Sequence, residues 1–480
     1  MLFNSYEFIL AFLPLTFSLY FYLNRLKLIQ GAQVFLALAS LFFYSWWNIE
    51  YLPLIVFSVI INYQISHLIN KLSIKKALLV FGVIFNLLLL GYFKYSDFFL
   101  QNINLAYDTK YSLLYLTLPL AISFFTFQQI AFLVDSFRGY VKRTSFLNYF
   151  VFVTFFPQLI AGPIVHHKEM MPQFLIKKNK FFNFKNIYLG LFIFSIGLFK
   201  KTIIADTFAI WATNGFDILS HLNLIEAWVT SLSYTFQLYF DFSGYTDMAL
   251  GAALLFNIKL PKNFNSPYKS TNIRDFWKNW HLTLSRFLRD YIYIPLGGNK
   301  NGNVKMYNNL FITFLIGGLW HGAAWTFIFW GALHGLAIIL FRLWCKTGIV
   351  LNNVLAWFIT FNFINISWIF FRAENWEDAL KVIKGMFGFS GVLFPSFLNK
   401  IPFLANNNAI FGEVFSNFNG DTEILLWLFG ALCLCLCFKN SNQLLISQKP
   451  NNKAIIFIVF LLLISLMNLD KNADFIYFNF

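Results

Sequence analysis

Two histidines carry most of the chemistry that this sequence offers. His321 stands in Gly317-Gly318-Leu319-Trp320-His321-Gly322-Ala323-Ala324, inside a run from 309 to 341 with no Asp, Glu, Lys or Arg. His281 comes earlier, in Phe276-Trp277-Lys278-Asn279-Trp280-His281. A neutral imidazole accepts and returns a proton near pH 7. Acyl transfer from a thioester to an alcohol needs such a base for the hydroxyl proton, and donors to hold the oxyanion. Two imidazoles meeting at one cavity would suit that work. His334, a little further on, reads instead as a packed side chain bonded to its neighbours.

The run around His321 explains its placement. As one helix, its 33 residues would measure about 50 Å against a hydrocarbon core of about 30 Å. It must break or fold back, and the glycines on both sides of His321 set the break there. Irregular backbone at membrane depth persists only where protein or a water-filled cavity satisfies it. His321 is therefore expected at an internal cavity near the midplane, where an ionisable side chain is a functional candidate.

His281 belongs to a different kind of segment. Residues 257–305 hold nine basic side chains (Lys259, Lys262, Lys269, Arg274, Lys278, Arg286, Arg289, Lys300, Lys305) against two acids, Asp275 and Asp290. A helix from 273 to 293 would align Trp277, Trp280, Leu284 and Leu288 in one stripe with basic residues beside it. Such a helix lies at a cytoplasmic interface or dips into a cavity. It is either a positive loop on acidic lipids or a dock for an anionic donor such as a coenzyme A thioester. In the second case Arg286, Arg289 and Lys278, with Trp277 and Trp280, would bind the donor. Arg274, Asp275, Arg286, Arg289 and Asp290 could also satisfy one another as ion pairs.

The elements that must position these residues are apolar spans. Candidates lie near 4–23, 31–48, 52–69, 77–93, 113–135, 187–210, 226–256, 350–371, 423–438 and 454–469. The run 143–165 reads as a re-entrant or in-plane segment, and 375–387 as an amphipathic helix in an external loop spanning 372–422. Basic residues follow alternate spans: Arg25 and Lys27, then Lys71, Lys75 and Lys76, then Arg138, Lys142, Arg143 and a cluster from Lys168 to Lys185. The connection from Lys94 to Lys110 is poorer in net positive charge. By the positive-inside rule the basic loops are cytoplasmic and both termini external. The first apolar run has no small-residue cleavage site after it and reads as a retained helix.

Composition agrees. The chain has 480 residues, 58% of them hydrophobic and 12% charged, about half the charge share of a soluble protein. So few charges cannot coat a soluble surface. The net charge of +15 belongs to cytoplasmic loops and membrane lipids, with no nucleic-acid partner implied. Cys345, Cys433, Cys435 and Cys437 lack metal-site spacing and read as small apolar residues. No repeat and no soluble domain stand out, so a single membrane domain over 1–480 is expected.

Four stretches resemble the membrane-bound O-acyltransferase (MBOAT) family, in its bacterial alginate and peptidoglycan O-acetyltransferase and teichoic-acid D-alanyl transfer branch. They are FFPQLIAGPIVHH (155–167), YFDFSGYTDMALG (239–251), LPKNFNSPYKSTNIRDFWKNWHLTLSRFLRDYIYIPLGGN (260–299) and GGLWHGAAWTFIFWGALHG (317–335). The resemblance spans most of 1–470, with a signature core of about 155–335. It implies an all-α, polytopic fold: a ring of slanted helices around a thin central region, with re-entrant segments and a cytoplasmic funnel. It implies that His321 and His281 are the catalytic pair, near the funnel's base. Where relatives often carry two basic residues between the tryptophans, this chain has Lys278 and Asn279, so anion binding at 279 is in doubt. The resemblance further implies a cytoplasmic acyl donor, acetyl-CoA or an acyl-carrying protein, with no bound cofactor or metal. The acceptor would be a cell-envelope polymer such as peptidoglycan or an alginate-like exopolymer, at a bacterial inner membrane. A separate extracytoplasmic protein would finish the transfer. A rival reading is a transporter or channel gated by the broken helix at 309–341. It would be expected to show two similar halves, which the sequence lacks.

Overall fold

The computed structural model describes residues 1–141, 144–160, 162–400, 410–412, 414–415, 418 and 423–469. The expected basic pair Lys142 and Arg143, and the expected external C-terminus at 470–480, lie outside the described residues.

The chain opens with α1 (Glu7–Arg25), α2 (Ile29–Ser45), α3 (Leu52–Lys71) and α4 (Lys75–Tyr107). All are apolar, and their exposed faces carry side chains such as Leu15, Phe57, Phe81 and Leu88. An apolar outside is what a bilayer solvates. At 33 residues, α4 is about 50 Å long and runs well past the span expected to end at 93. In sequence Lys94 reads as a loop charge that ends the span; in the structure it lies on the helix. After α5 (Ile122–Phe137) comes α6 (Phe146–Thr154), nine residues measuring about 14 Å, too short to cross and buried from Tyr149 onward. The re-entrant reading of 143–165 fits this. Then α7 (His167–Leu175) leads to α8 (Phe184–Ile218).

α9 (Leu224–Leu255) is the hub. It starts at a capping box: the Asn223 side chain accepts from the Ile225 and Glu226 amides, and Glu226 accepts from the Asn223 amide. It is buried along almost its whole length, against α8 above all. Charges inside are paired across that contact. Lys201 lies 2.8 Å from Asp206 and 2.9 Å from Asp241, and Lys200 lies 2.7 Å from Asp247. A charge surrounded by protein is tolerated only with such a partner. The two Asp residues explain the YFDFSGYTD stretch as an interhelical fastening.

The segment expected as one helix over 273–293 is divided. α10 (Ile273–Trp277) and α11 (Leu282–Leu288) are separated by a turn in which His281 takes φ +43°. A π-turn follows at Arg289–Tyr293. The expected stripe therefore does not lie on one helix: Trp277 ends α10, Trp280 sits in the turn, and Leu284 and Leu288 are on α11.

The run around 309–341 forms a hairpin. α12 (Gly302–His321) and α13 (Trp325–Thr347) meet at a three-residue break, and their open ends lie together. Arg342 donates to the Met306 sulfur at 3.2 Å, and the Lys346 ammonium lies 5.6 Å from the Tyr307 ring centre. The break falls after His321, so Gly317 and Gly318 remain helical. Gly318 serves the packing: a Cβ there would come 2.4 Å from the Phe327 carbonyl oxygen and 2.9 Å from Gly331 Cα. α14 (Asn353–Arg372) and the amphipathic α15 (Trp376–Met386) follow, the latter within a residue of its expected ends. α16 (Glu423–Cys437), α17 (Ser441–Ser447) and α18 (Asn452–Leu466) close the described chain.

Among the described residues, six helices are long and apolar enough to cross a membrane, or seven if α16 and α17, bent by 50°, form one broken span. α2, α5 and α18 are shorter apolar helices. Apart from two three-residue parallel strands, Leu393–Pro395 and Ile410–Gly412, the described residues are helix and loop. The protein is an all-α, multi-pass membrane protein.

Candidate active site

His321 ends α12 and is buried. Its ring lies 4.8 Å from the Trp320 ring centre, 5.3 Å from Trp330 and 5.0 Å from Phe371. Gly322 lets the chain leave the helix here, because a Cβ would sit 2.1 Å from the Phe327 ring. The aromatic wall continues through Trp368, stacked on Trp330 at 5.7 Å.

His281 is completely buried and also faces Trp320, at 6.5 Å between ring centres. The fold thus brings the two histidines to one indole, although they are 40 positions apart in the chain. A non-glycine residue in the left-handed region costs of order 1 kcal/mol, so the surroundings must impose it. Asn263 does so. Its Oδ1 takes the Thr283 amide at 3.2 Å and the Thr283 hydroxyl at 2.9 Å, and lies 3.1 Å from His281 Nδ1. An amide N–H must donate, which marks that atom as oxygen, so His281 Nδ1 carries the hydrogen. Nε2 is then a lone-pair acceptor, and it has no hydrogen-bond partner among the described residues. That disfavours the role of polarising a carbonyl, which needs an N–H. It suits acceptance of a donor's amide N–H.

His334 is fully employed in structure, as expected. Trp277 Nε1 donates to its Nδ1 at 3.1 Å, and its Nε2 lies 3.1 Å from Ser367 Oγ. Trp277 and Trp280 are buried in this aromatic mass, with Trp280 4.9 Å from Trp368. They form the wall behind the histidines rather than an exposed donor surface.

The basic residues divide. Arg286 is clasped by Glu169 on α7, with two bonds of 2.5 and 2.8 Å. Of the pairings considered for it, neither Asp275 nor Asp290 holds; the partner is an acid 117 positions away. Arg289 binds Asp290 at 2.7 Å, as one of the expected pairs. Lys278 and Arg274 stand 3.7 Å from Asp275 and are over half exposed. Asn279 is tied internally, donating to the Asp275 carbonyl and accepting from Asn265. Beside this region Tyr291 links Asp135 at 3.0 Å to His166 at 3.1 Å. Burial first, and then the Arg286 guanidinium, hold His166 below the usual imidazole range.

Three contributors escape a reading by motif. Asn263 lies in the LPKNFN stretch with no charge to draw notice. Glu169 is one acid in a basic cluster. Lys94, which donates to the Trp320 and His321 carbonyls, is a lone lysine in a long apolar run, and its signal is a charge inside a hydrophobic stretch that would otherwise continue.

Residues 136–372 match the membrane-bound O-acyltransferase family. The chain is 48% identical to the peptidoglycan O-acetyltransferase of Helicobacter pylori, over 100% of this chain and 98% of that one. It is also 39% identical to the "Probable alginate O-acetylase AlgI" of Pseudomonas aeruginosa, over 81% of this chain and 75% of that one. A teichoic acid D-alanyltransferase of Bacillus subtilis is 29% identical over 53% of this chain. The chain belongs to the membrane-bound O-acyltransferase family. It is a membrane O-acyltransferase, and the transporter reading finds no support in these matches.

Proposed function

We propose that this single-domain protein passes an acetyl group from a cytoplasmic donor, acetyl-CoA or an acyl carrier, toward O-acetylation of a cell-envelope polysaccharide, with peptidoglycan the favoured acceptor. The observation that carries the site is the convergence of His281 and His321 on Trp320, both buried and from separate segments. The acceptor class rests on the full-length likeness to a protein named for peptidoglycan O-acetylation.

His321 is the general base or acyl relay. As the acceptor hydroxyl attacks the thioester carbonyl, His321 takes its proton, the C–S bond breaks, and the leaving thiolate recovers that proton. His281 positions the donor through the acceptor lone pair on Nε2. A funnel from the cytoplasmic face would lead the donor inward past Lys278 and Arg289, whose side chains are 66% and 61% exposed. An extracytoplasmic protein completes transfer to the polymer. The setting is the inner membrane, with both termini outside.

His321→Ala tests the assignment. Ester-linked acetate on the envelope polysaccharide of cells expressing the full chain should fall by a factor of about 10² or more at unchanged protein level. Near-normal acetate would remove His321 from the chemistry.

A further inference from the structure

We propose that Lys94 is a positioning residue for acyl transfer: its ammonium ties off the carbonyls freed by the helix break at Trp320 and His321, and thereby fixes the His321 imidazole. This rests on the reading of His321 as the catalytic base.

The last turn of any helix leaves carbonyls without intrahelical partners. Where water is scarce, such groups must find donors within the protein. At the tip of the α12–α13 hairpin the donors come from a distant helix, α4. Tyr95 donates its hydroxyl to the Leu319 carbonyl at 2.5 Å. Lys94 Nζ donates to the Trp320 carbonyl at 2.6 Å and to the His321 carbonyl at 2.9 Å. About two turns further along α4, Asn102 accepts from Trp325 Nε1 at 2.9 Å, on the far side of the break. One helix thus grips both sides of the irregular backbone.

The chemistry of the ammonium separates positioning from catalysis. It has three N–H donors. Two reach the carbonyls, and the third points to Ser123 Oγ at 3.5 Å. No donor remains for a developing oxyanion. A helix C-terminus also carries partial negative charge, which a cation complements. A neutral donor could satisfy one carbonyl, but it could not bridge two consecutive ones and answer that charge. The cost of a lysine amid apolar spans is thereby tied to the geometry of His321.

The test compares the purified parent chain with H321A, K94M and K94R. Acetyl-CoA is the probe donor, and release of free coenzyme A is read per folded molecule, with size exclusion and melting temperature as the measure of folding. Folded K94M should lose at least about tenfold in kcat, with KM within about threefold of the parent. K94R, still able to donate to two carbonyls, should recover part of the loss. Parental kcat in folded K94M would overturn the proposal. So would a loss confined to KM, which would make Lys94 a substrate contact. If K94M yields no folded protein, K94Q, which keeps an amide donor but no charge, decides: a lower kcat at the parental melting temperature supports positioning, and parental kcat overturns it. Turnover by H321A would sink the His321 assignment itself. An inert H321A beside a fully active K94M would sink only the role of Lys94.

Discussion

At the scale of single residues, the basic segment shows that a count of cations does not identify a phosphate site. Arg286 and Arg289 look equivalent in sequence, and each meets a carboxylate through two bonds, yet Arg286 on Glu169 is 27% exposed while Arg289 on Asp290 is 61% exposed. A carboxylate fork that is largely buried withholds the guanidinium from a phosphate, whereas a solvated one exchanges its partner readily. We expect Arg286→Gln to lower stability by roughly 1 kcal/mol, since the pair is partly solvated. Its KM for acetyl-CoA should stay within about threefold of the parent. Neutralising Lys278 and Arg289 together should instead raise KM, by a factor that shrinks as salt is added. Melting curves and acetyl-CoA titrations on the same preparations read both effects. A tenfold KM change in R286Q alone, at parental stability, would return Arg286 to the donor site.

At the scale of elements, the hairpin depends on how closely α12 and α13 approach. The contact runs through Gly318 and Gly331, where even a methyl group meets backbone. Gly318→Val would force the helices apart and shift the tip that carries His321. Overpacking of this kind costs about 1–3 kcal/mol. The variant should melt lower and turn over more slowly, whereas Gly430→Ala, at a site with nothing within 4 Å, should change neither. A parental melting temperature in G318V would show that the hairpin tolerates a wider spacing. Sequence made the hairpin legible as a charge-free run with glycines. It put the break within 317–324 without saying which part leaves the helix, because glycine serves both to end helices and to let them touch, and only the neighbour decides which.

At the scale of the whole molecule, we expect the basic ends of the helices to set its orientation. Arg25, Lys71 and Lys75, and the α12 and α13 ends with Lys305 and Lys346, alternate along the chain as a positive-inside arrangement requires. A hairpin that returns to its starting side preserves that alternation from α9 to α14. A single cysteine at position 300, in a chain whose four native cysteines are replaced, should react with a membrane-impermeant maleimide only after the cytoplasmic face is opened. Labelling from intact cells would reverse the orientation.

The sequence by itself determined that this is a membrane protein, because few charges and long apolar runs leave no soluble alternative. It singled out His321, since an imidazole beside glycines in an uncharged run has few structural excuses, and His281 through its place in a basic, Trp-rich stretch. It did not show that the two face one indole, for contacts between segments 40 positions apart are absent from local pattern. Only the tertiary structure decided which cations are exposed and which half-buried, which residues of 317–324 leave the helix, and that Lys94 reaches the backbone at His321. A charge is read in sequence by its sign, but its role is fixed by the partner that folding brings within 3 Å: a carboxylate for Arg286, two backbone carbonyls for Lys94.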